Sequence, residues 1–224
     1  MCGRYKLAAS GDEVAEFFGL RDSPELTPRY NIAPTQTAPV VRRAPEGAGL
    51  EVAFLRWGLV PSWAKDLAVG SRMINARAET VAEKPAFRQA FLRRRCLILA
   101  DGFYEWKAEG GRKVPYHITV EGQPLFAFAG LWEAWAPEGG EVRRTCAILT
   151  TEANDFMKAI HSRMPVILSP DDYAAWLDSK NRDASSLLAL LKPFPSNRML
   201  ARAVSTRVNS PKNNDPSCIL PLGE

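Results

Sequence analysis

The second residue of the chain is a cysteine, in the segment Met1-Cys2-Gly3-Arg4. An initiator methionine is commonly removed before a small residue, and removal here would leave Cys2 with a free α-amine and a thiol on adjacent carbons. Such a 1,2-aminothiol condenses with an aldehyde through its amine, and its sulfur then closes a thiazolidine ring on the same carbon. The amine titrates at about 7.7–8.0 and the thiol at about 8.5, so both have reactive fractions at neutral pH. The alternative interpretation is that Cys2 is a small apolar core residue in a first strand over residues 2–7.

Three polar segments adjoin apolar strands, and strand ends are where functional side chains are commonly presented. Asn75-Ala76-Arg77-Ala78-Glu79-Thr80 follows Met73-Ile74; Asp101-Gly102-Phe103-Tyr104-Glu105-Trp106 follows Leu97-Ile98-Leu99-Ala100; and Ile160-His161-Ser162-Arg163-Met164-Pro165 precedes Val166-Ile167-Leu168. These segments supply an amide, a carboxylate and an imidazole as candidate groups for proton transfer and substrate positioning.

Each candidate also has a purely structural interpretation. Glu105, between two aromatic residues, fits the outward position of an alternating strand, and His161 fits a hydrogen-bonded core or capping residue. Asn75 could cap a turn. Arg77 and Glu79 share strand parity and could form a surface ion pair, which would contribute little to stability. Spacing alone does not unite these side chains into one site.

The elements that must position these residues alternate irregularly along the chain. Apolar periodicity predicts a helix over residues 11–18, ended by Gly19, and further helices over residues 85–94, 152–158, 170–178 and 183–191. Residues 23–36, which hold three prolines, are predicted to be an ordered loop. Strands are predicted over residues 38–42, 50–57, 96–100, 103–107, 114–120, 125–129, 145–150, 166–168 and 200–204, with a glycine-containing connection between the first two. Consecutive strands indicate an α+β fold, a single compact domain over residues 1–224 with a mainly antiparallel sheet or partial barrel and flanking helices.

Composition excludes several classes of protein. Hydrophobic residues make up 46% and charged residues 24% of the 224 residues, a globular balance. The sequence lacks an apolar run long enough to span a membrane and a signal-peptide pattern, and Cys2, Cys96, Cys146 and Cys218 are too far apart for a CxxC motif. Because only His117 and His161 could join them, a metal site is not expected, and no cofactor motif is present. A reduced, cytoplasmic location fits best.

The net charge of +4 is compatible with a nucleic-acid partner without requiring one. Basic residues form short clusters at Arg42-Arg43, Arg93-Arg94-Arg95 and Arg143-Arg144. Such clusters are more often solvated surface than binding sites.

The motifs taken together resemble the SRAP family, the SOS response-associated peptidase domain proteins that capture abasic sites in DNA. The matching segments are Met1-Cys2-Gly3-Arg4, Arg29-Tyr30-Asn31-Ile32-Ala33-Pro34, Trp57-Gly58-Leu59-Val60-Pro61 and the three polar segments above, and they cover nearly the whole chain. Each segment is weak evidence alone, but the ordered set is specific.

The resemblance implies a role for each candidate residue. Cys2, after loss of Met1, is the nucleophile, and Asn75, Glu105 and His161 fall on active-site positions of the family. The residues implied to contact DNA are Arg4, Arg77, Thr150, Arg163, Pro61 and Trp63, the last two in a loop expected to lean on bases. The implied partner is single-stranded DNA with abasic sites, bound by a monomer that associates with the nucleoid at damaged DNA.

Two other functions remain open from the residues. An N-terminal cysteine beside a general base also suits a peptidase or amidohydrolase that attacks carbonyls through sulfur, and the release of Met1 could itself be autocatalytic. A non-covalent module that binds single-stranded DNA is the third hypothesis.

Overall fold

The computed structural model describes residues 2–44 and 49–223. Within that part of the chain the strands are β1 (Arg4–Leu7), β2 (Arg29–Ile32), β3 (Thr37–Arg43), β4 (Leu50–Trp57), β5 (Asn75–Arg77), β6 (Arg95–Ala100), β7 (Gly102–Glu109), β8 (Arg112–Val120), β9 (Phe126–Trp135), β10 (Arg143–Glu152), β11 (Arg163–Pro165), β12 (Ile167–Leu168) and β13 (Met199–Ala203). The α-helices are α1 (Gly11–Phe18), α2 (Arg88–Arg93), α3 (Asp155–Lys158), α4 (Tyr173–Leu177) and α5 (Ala184–Leu188).

Five of the strands close into a ring. β3 pairs with β4, β4 with β10, β10 with β9, β9 with β6, and β6 with β3. Every pairing in the ring is antiparallel except β4–β10, which is parallel. All six residues of β6 are buried, as expected for a strand enclosed on both faces. A closed ring leaves no free edge among these strands, and β5 and β11 add to it along the far half of β10.

A second, antiparallel sheet lies against this barrel in the strand order β13-β8-β7-β1-β2. Aromatic rings join the two layers: the Tyr5 ring centroid lies 5.3 Å from that of Trp57 and 5.9 Å from that of Phe128. Phe103 packs edge-on against Phe128 as well, at 5.9 Å. Aromatic pairs at these separations add to the burial energy of their large side chains. The inner face of β1 and β7 is thereby fixed against the barrel.

The outer face of the second sheet is covered by the C-terminal stretch. Val204, Val208 and Cys218 form a small buried cluster with Tyr104 of β7. The Tyr104 hydroxyl donates a hydrogen bond of 2.6 Å to the Tyr30 carbonyl. The C-terminal residues therefore hold β7 from behind while its other face lines the core.

The predicted fold class, α+β with mainly antiparallel strands around a partial barrel, is confirmed. Helix α1 has the predicted bounds; Ser10 and Glu13 form a capping box at its start, and Gly19 ends it with a φ of 61°. The helix predicted over residues 85–94 is shorter, because regular hydrogen bonding begins only at Arg88. The prediction of a loop over residues 23–36 was wrong at its centre, since β2 pairs there with β1. Most of the connection between β3 and β4, residues 45–48, lies outside the described residues.

Candidate active site

Cys2 lies at the start of β1 and is fully buried. Its Sγ is 3.8 Å from the Arg4 carbonyl oxygen, to which the thiol donates a weak hydrogen bond. The β1–β7 register pairs Arg4 with Tyr104, so Cys2 lies next to the middle of β7. Burial, and then the charge of the nearby Glu105, raise the pKa of the Cys2 thiol well above its usual range. The sulfur is therefore held as a thiol rather than a thiolate in this environment.

Asn75 holds the backbone of Cys2. Its side-chain Nδ2 donates a 2.9 Å hydrogen bond to the Cys2 carbonyl oxygen. β5 positions this amide because it pairs in parallel with β10, with Asn75 opposite Ile148. The other end of the amide, Oδ1, is buried and has no hydrogen-bond partner among the described residues. Buried polar atoms are nearly always satisfied, so this oxygen is available to a donor brought by a substrate.

Glu105 is buried on the inner side of β7, with a relative exposure of 3%. Burial raises the pKa of its carboxyl group above the ordinary glutamate value, and His161 opposes that rise. A carboxyl group whose pKa is raised in this way is better able to donate a proton as well as to accept one. The interpretation of Glu105 as an outward, solvated strand position was wrong, because this face of β7 points into the molecule.

His161 follows α3 and precedes β11. Its Nδ1 accepts a 3.0 Å hydrogen bond from the Arg163 backbone N–H, and its own backbone N–H donates 2.8 Å to the Met157 carbonyl. The Arg163 carbonyl oxygen also lies 3.2 Å from Nδ1. The turn therefore fixes the orientation of the ring.

These groups meet at a cavity of about 470 Å³. It is lined by Glu105, Trp106, Lys113, His161 and Asn209. Cys2 lies near Glu105, which lines the cavity. Asn75 is connected to the same place because it is hydrogen-bonded to the Cys2 carbonyl oxygen. The structure thus brings together all four predicted catalytic residues, from β1, β5, β7 and the α3–β11 turn.

Three of the lining residues were not singled out from the sequence. Trp106, within the 101–106 motif, donates a 2.7 Å hydrogen bond from Nε1 to the Asn209 Oδ1. Lys113 lies near the start of β8, opposite Ala108 of β7, so the hairpin that carries Glu105 also carries this cation. Its position just after Gly110-Gly111, a pair typical of a hairpin turn, was the available signal. For Asn209, near the C-terminus, no sequence signal existed.

The predicted DNA contacts Arg77, Thr150 and Arg163 lie on the adjacent strands β5, β10 and β11. Thr150 pairs with Arg77 on one side and with Pro165 on the other. Arg77 is exposed, and no described residue makes a hydrogen bond or ion pair with its side chain. Thr150 is buried, and its carbonyl oxygen and hydroxyl accept hydrogen bonds of 2.7 and 3.2 Å from the Arg163 guanidinium.

Arg163, and not Arg77, is the partner of Glu79. Its two terminal nitrogens lie 2.8 and 3.0 Å from the two Glu79 carboxylate oxygens. The expectation of an Arg77–Glu79 ion pair was therefore wrong, because Glu79 lies in a single 3₁₀ turn after β5 and not on the strand itself. Arg77 is left to solvent at the edge of the site.

The remaining predicted DNA contacts differ in exposure. The Arg4 guanidinium donates to Asn31 Oδ1 at 3.0 Å and to the carbonyl oxygens of Val208 at 2.7 Å and Asn209 at 3.2 Å. Arg4 thereby ties β1 to the C-terminal stretch. In the loop after β4, Pro61 is buried and Trp63 is 64% exposed. Trp63 is thus the residue of the two that presents an aromatic face to a partner.

No group of three or more histidine, cysteine or acidic side chains that could hold a metal ion occurs in residues 2–44 and 49–223. Within the same residues, no helix combines the length and apolar character that crossing a membrane requires.

Comparison with known proteins identifies the family of the chain. The family model for the SOS response associated peptidase (SRAP) matches residues 1–211. The chain is 46% identical over 218 residues to a Bacillus subtilis protein named abasic site processing protein YoaM, covering 96% of this chain and 95% of that protein. It is 32% identical to a Gallus gallus protein named abasic site processing protein HMCES, over 99% of this chain and 78% of that protein.

Among solved structures, a Bacteroides thetaiotaomicron protein superimposes with a TM-score of 0.88 at 29% identity, covering 98% of this chain and 99% of that one. The match of the family model to nearly the whole chain, together with relatives of this similarity, shows that the chain belongs to the SRAP family.

Proposed function

We propose that this protein captures abasic sites in single-stranded DNA by forming a thiazolidine between Cys2, freed of Met1, and the aldehyde of the exposed deoxyribose. The observation that carries the proposal is the placement of Cys2 beside the buried Glu105, with its backbone held by Asn75, next to a cavity that His161 also lines. The names of the relatives, abasic site processing proteins, support the same substrate.

Glu105 opens the sugar in this proposal. An abasic deoxyribose is mostly a closed hemiacetal, and only its open form presents an aldehyde. Opening requires a proton to move from the anomeric hydroxyl to the ring oxygen. A carboxyl group whose pKa is raised by burial performs both transfers, which accelerates the step.

The Cys2 amine then attacks the aldehyde carbon, and loss of one water gives a Schiff base. The thiol sulfur attacks the imine carbon, and its proton passes to the nitrogen, so that the ring closes with no further leaving group. The raised pKa of the thiol favours this order, because the amine is the better nucleophile while sulfur stays protonated. Ring closure removes the Schiff base before it promotes β-elimination and strand breakage.

His161 and Asn75 support these steps in the proposal. The His161 ring, oriented by its contacts at Nδ1, gives a proton to the departing hydroxyl. The unpartnered Asn75 Oδ1 accepts a hydrogen bond from the amine or from a sugar hydroxyl. Confinement of both reactants raises their effective concentration.

The proposed DNA contacts are of two kinds, phosphate binding and base stacking. Arg77 and Arg163 lie beside the site and bind phosphates without reading the sequence. Trp63 offers an exposed ring on which any base can stack, which suits single-stranded DNA. We propose that a monomer in the cytoplasm carries out this reaction.

A second candidate function is an N-terminal cysteine peptidase or amidohydrolase. The observation that favours it is the same proximity of a buried thiol and a carboxyl group, which could act as the base for sulfur attack on an amide. Release of Met1 by this site would be its simplest form.

One experiment separates the two. Wild type, Cys2→Ser and the control Cys218→Ser are mixed with abasic single-stranded DNA and run on a denaturing gel, with intact mass used to confirm loss of Met1. Cys218 is a remote buried thiol, so its variant should form the crosslink as wild type does. Cys2→Ser keeps the amine but not the sulfur, so its crosslink should appear only after borohydride reduction. A borohydride-free crosslink at wild-type level in Cys2→Ser would refute the thiazolidine, and peptide turnover without a crosslink in wild type would favour the hydrolase.

A further inference from the structure

Three basic clusters that are far apart in the sequence meet on one side of the barrel. They are Arg42-Arg43 at the end of β3, Arg93-Arg94-Arg95 at the junction of α2 and β6, and Arg143-Arg144 at the start of β10. Each cluster contacts β9. Arg95 pairs with Leu131, and Arg144 pairs with Ala134. The Arg42 guanidinium lies 4.5 Å from the Trp132 ring centroid. The closed ring of strands therefore builds a surface that none of the clusters forms alone.

Three of these arginines are engaged within the protein. Arg42 is paired with Glu51 at 2.7 Å, and Arg94 with Glu133 at 2.6 Å. Arg95 is buried and donates to four backbone carbonyl oxygens of the α2 and α4 regions, among them Trp176 and Phe91. These residues form the framework of the surface and are not available to a ligand.

The other four are exposed: Arg43, Arg93, Arg143 and Arg144. No ion pair joins any of them to a carboxylate in residues 2–44 and 49–223. Arg43 donates one hydrogen bond, from Nε to the Leu177 carbonyl oxygen at 3.2 Å, which orients its guanidinium. The nearest acidic residues in sequence to Arg143 are Glu138 and Glu141 of the exposed turn before β10. A third carboxylate, Asp178, lies between Leu177 and Ser179 and acts on the charge of Arg95. Four exposed cations against these three carboxylates leave the surface basic.

Arg43 and Arg93 also share a small cavity of about 190 Å³ with the buried Arg95, Trp132 and Ser179. Guanidinium groups with a hydroxyl in a recess of this kind match the oxygens of a phosphate group, because each guanidinium presents parallel N–H donors. The framework arginine at its base keeps the recess open and electropositive.

The surface is connected to the active-site side by the loop that carries Trp63. The Val60 backbone N–H donates 2.9 Å to Thr145 Oγ1 of β10, and Trp135 Nε1 donates 2.6 Å to the Ala64 carbonyl oxygen. The loop that carries the exposed Trp63 is thus held against the start of β10 and the end of β9. Along β10, Arg144 is separated from Thr150 by about 20 Å at ~3.3 Å per residue. A stacked DNA strand spans that length with about six nucleotides at ~3.4 Å each.

We propose that Arg43, Arg93, Arg143 and Arg144 form a second phosphate-binding surface, which holds the DNA backbone of the strand that extends from the lesion past Trp63. The inference rests on the proposed function and adds a contact that short DNA does not reach. It predicts that affinity depends on DNA length, and that this dependence is carried by arginines outside the active site.

The test measures equilibrium binding by fluorescence anisotropy, with DNA that lacks abasic sites so that no covalent step intervenes. Single strands of about 5 and about 25 nucleotides are compared between ~50 and ~200 mM salt. For the long strand, Arg43→Glu with Arg93→Glu should weaken binding at least about fivefold at ~0.1 M salt and lower the salt slope by ~0.7 for each lost contact. The short strand should bind as it does to wild type.

The matched control is Lys192→Glu with Arg198→Glu, which changes the net charge equally at exposed positions before and beside β13 of the other sheet. This control should leave binding of the long strand near the wild-type value. Wild-type affinity and salt slope for the long strand in the Arg43/Arg93 variant would overturn the proposal, as would an equal loss in the control or on the short strand. The denaturing-gel crosslink of each variant to short abasic DNA reports separately on the proposed function, since it should stay at the wild-type level.

Discussion

At the scale of single residues, burial acts on Cys2 and Glu105 in the same direction. Both side chains lose water, so the pKa of the thiol and the pKa of the carboxyl group are raised. A group of this kind destabilises the folded state when it must ionise. At neutral pH this cost falls on Glu105, because the Cys2 thiol is protonated there in both the folded and the unfolded chain. Such a cost is common where a side chain performs proton transfer.

Glu105→Gln should therefore separate activity from stability. Glutamine keeps the shape but cannot move a proton, so the rate of crosslinking to abasic DNA should fall by about 10²–10⁴. Because the folded pKa of Glu105 is raised, its favourable contribution is present below the ordinary glutamate pKa and is lost as pH rises. The variant should therefore melt at a higher temperature than wild type at pH 7 and show little difference near pH 4.

Gel time courses and thermal melts at the two pH values check both parts. An unchanged crosslinking rate would remove Glu105 from the mechanism. A lower melting temperature of the variant at pH 7 would instead contradict the sign of the pKa shift.

At the scale of the elements, β10 is the strand on which the site is assembled. It pairs with β5, which carries Asn75 and Arg77, and with β11, which carries Arg163. Arg77 and Arg163 look equivalent in the sequence but have different environments. Arg77 is exposed to solvent, whereas Arg163 is bound to the Glu79 carboxylate and to the Thr150 carbonyl oxygen.

Arg77→Ala and Arg163→Ala should accordingly differ in stability but agree in DNA binding. Arg77→Ala should change the free energy of unfolding by less than about 0.5 kcal/mol, as for an exposed side chain. Arg163→Ala should cost roughly 1–3 kcal/mol, because the Thr150 carbonyl loses a charge-assisted hydrogen bond. Each should lower the salt slope of single-strand binding by ~0.7.

Urea denaturation and salt-dependent anisotropy measure the two effects. Glu79→Ala serves as the control, since it breaks the ion pair but leaves both arginines in place. Equal stability of the two arginine variants would argue against the observed role of Arg163.

β7 must approach β8 closely at Gly102 to place Glu105. A Cβ on Gly102 would lie 2.1 Å from the His117 Nε2, so the His117 ring occupies the space above this glycine. Gly102→Ala should therefore cost about 1–3 kcal/mol through overpacking and displace the strand three residues before Glu105. The same substitution in a His117→Ala background should cost less, and a double-mutant cycle by urea denaturation measures the difference. Additive effects would mean that the ring is not what excludes the methyl group.

At the scale of the whole molecule, His117 makes folding sensitive to acid. It lies on β8 with 6% exposure, and two cations of the same sheet, Lys6 of β1 and Arg202 of β13, act on its ring. Burial, and then these two cations, lower the pKa of its imidazole to about 3. The ring is thus neutral in the folded protein at every pH where the fold is expected to operate.

The free energy of unfolding of wild type should fall as pH drops from about 6.5 towards 3. In that range His117 is protonated in the unfolded chain but stays neutral in the folded protein. This one group contributes a slope of up to ~1.4 kcal/mol per pH unit in that window. His117→Gln should lose less stability than wild type between pH 7 and pH 5. Urea denaturation of both proteins at the two pH values checks it, and parallel losses would show that other groups account for the acid sensitivity.

The sequence by itself determined the family, the four candidate catalytic residues, the α+β class and most strands. These features depend on neighbouring residues. Alternation of apolar and polar residues, and continuous apolar runs, indicate which strand positions are buried. Ser10 and Glu13 mark the start of α1 and Gly19 marks its end, and each family motif is a contiguous segment. The proposed aminothiol chemistry of Cys2 depends only on its position in the chain.

Only the tertiary structure decided how these pieces combine. The closure of the barrel, the parallel pairing of β5 with β10 and the existence of β2 depend on registers between distant strands. The same is true of the Arg163–Glu79 ion pair, the entry of Lys113 and Asn209 into the cavity, and the meeting of three arginine clusters around β9. Pairings of this kind are set by the packing of the whole core, whose energy is shared among residues that no local pattern relates to one another.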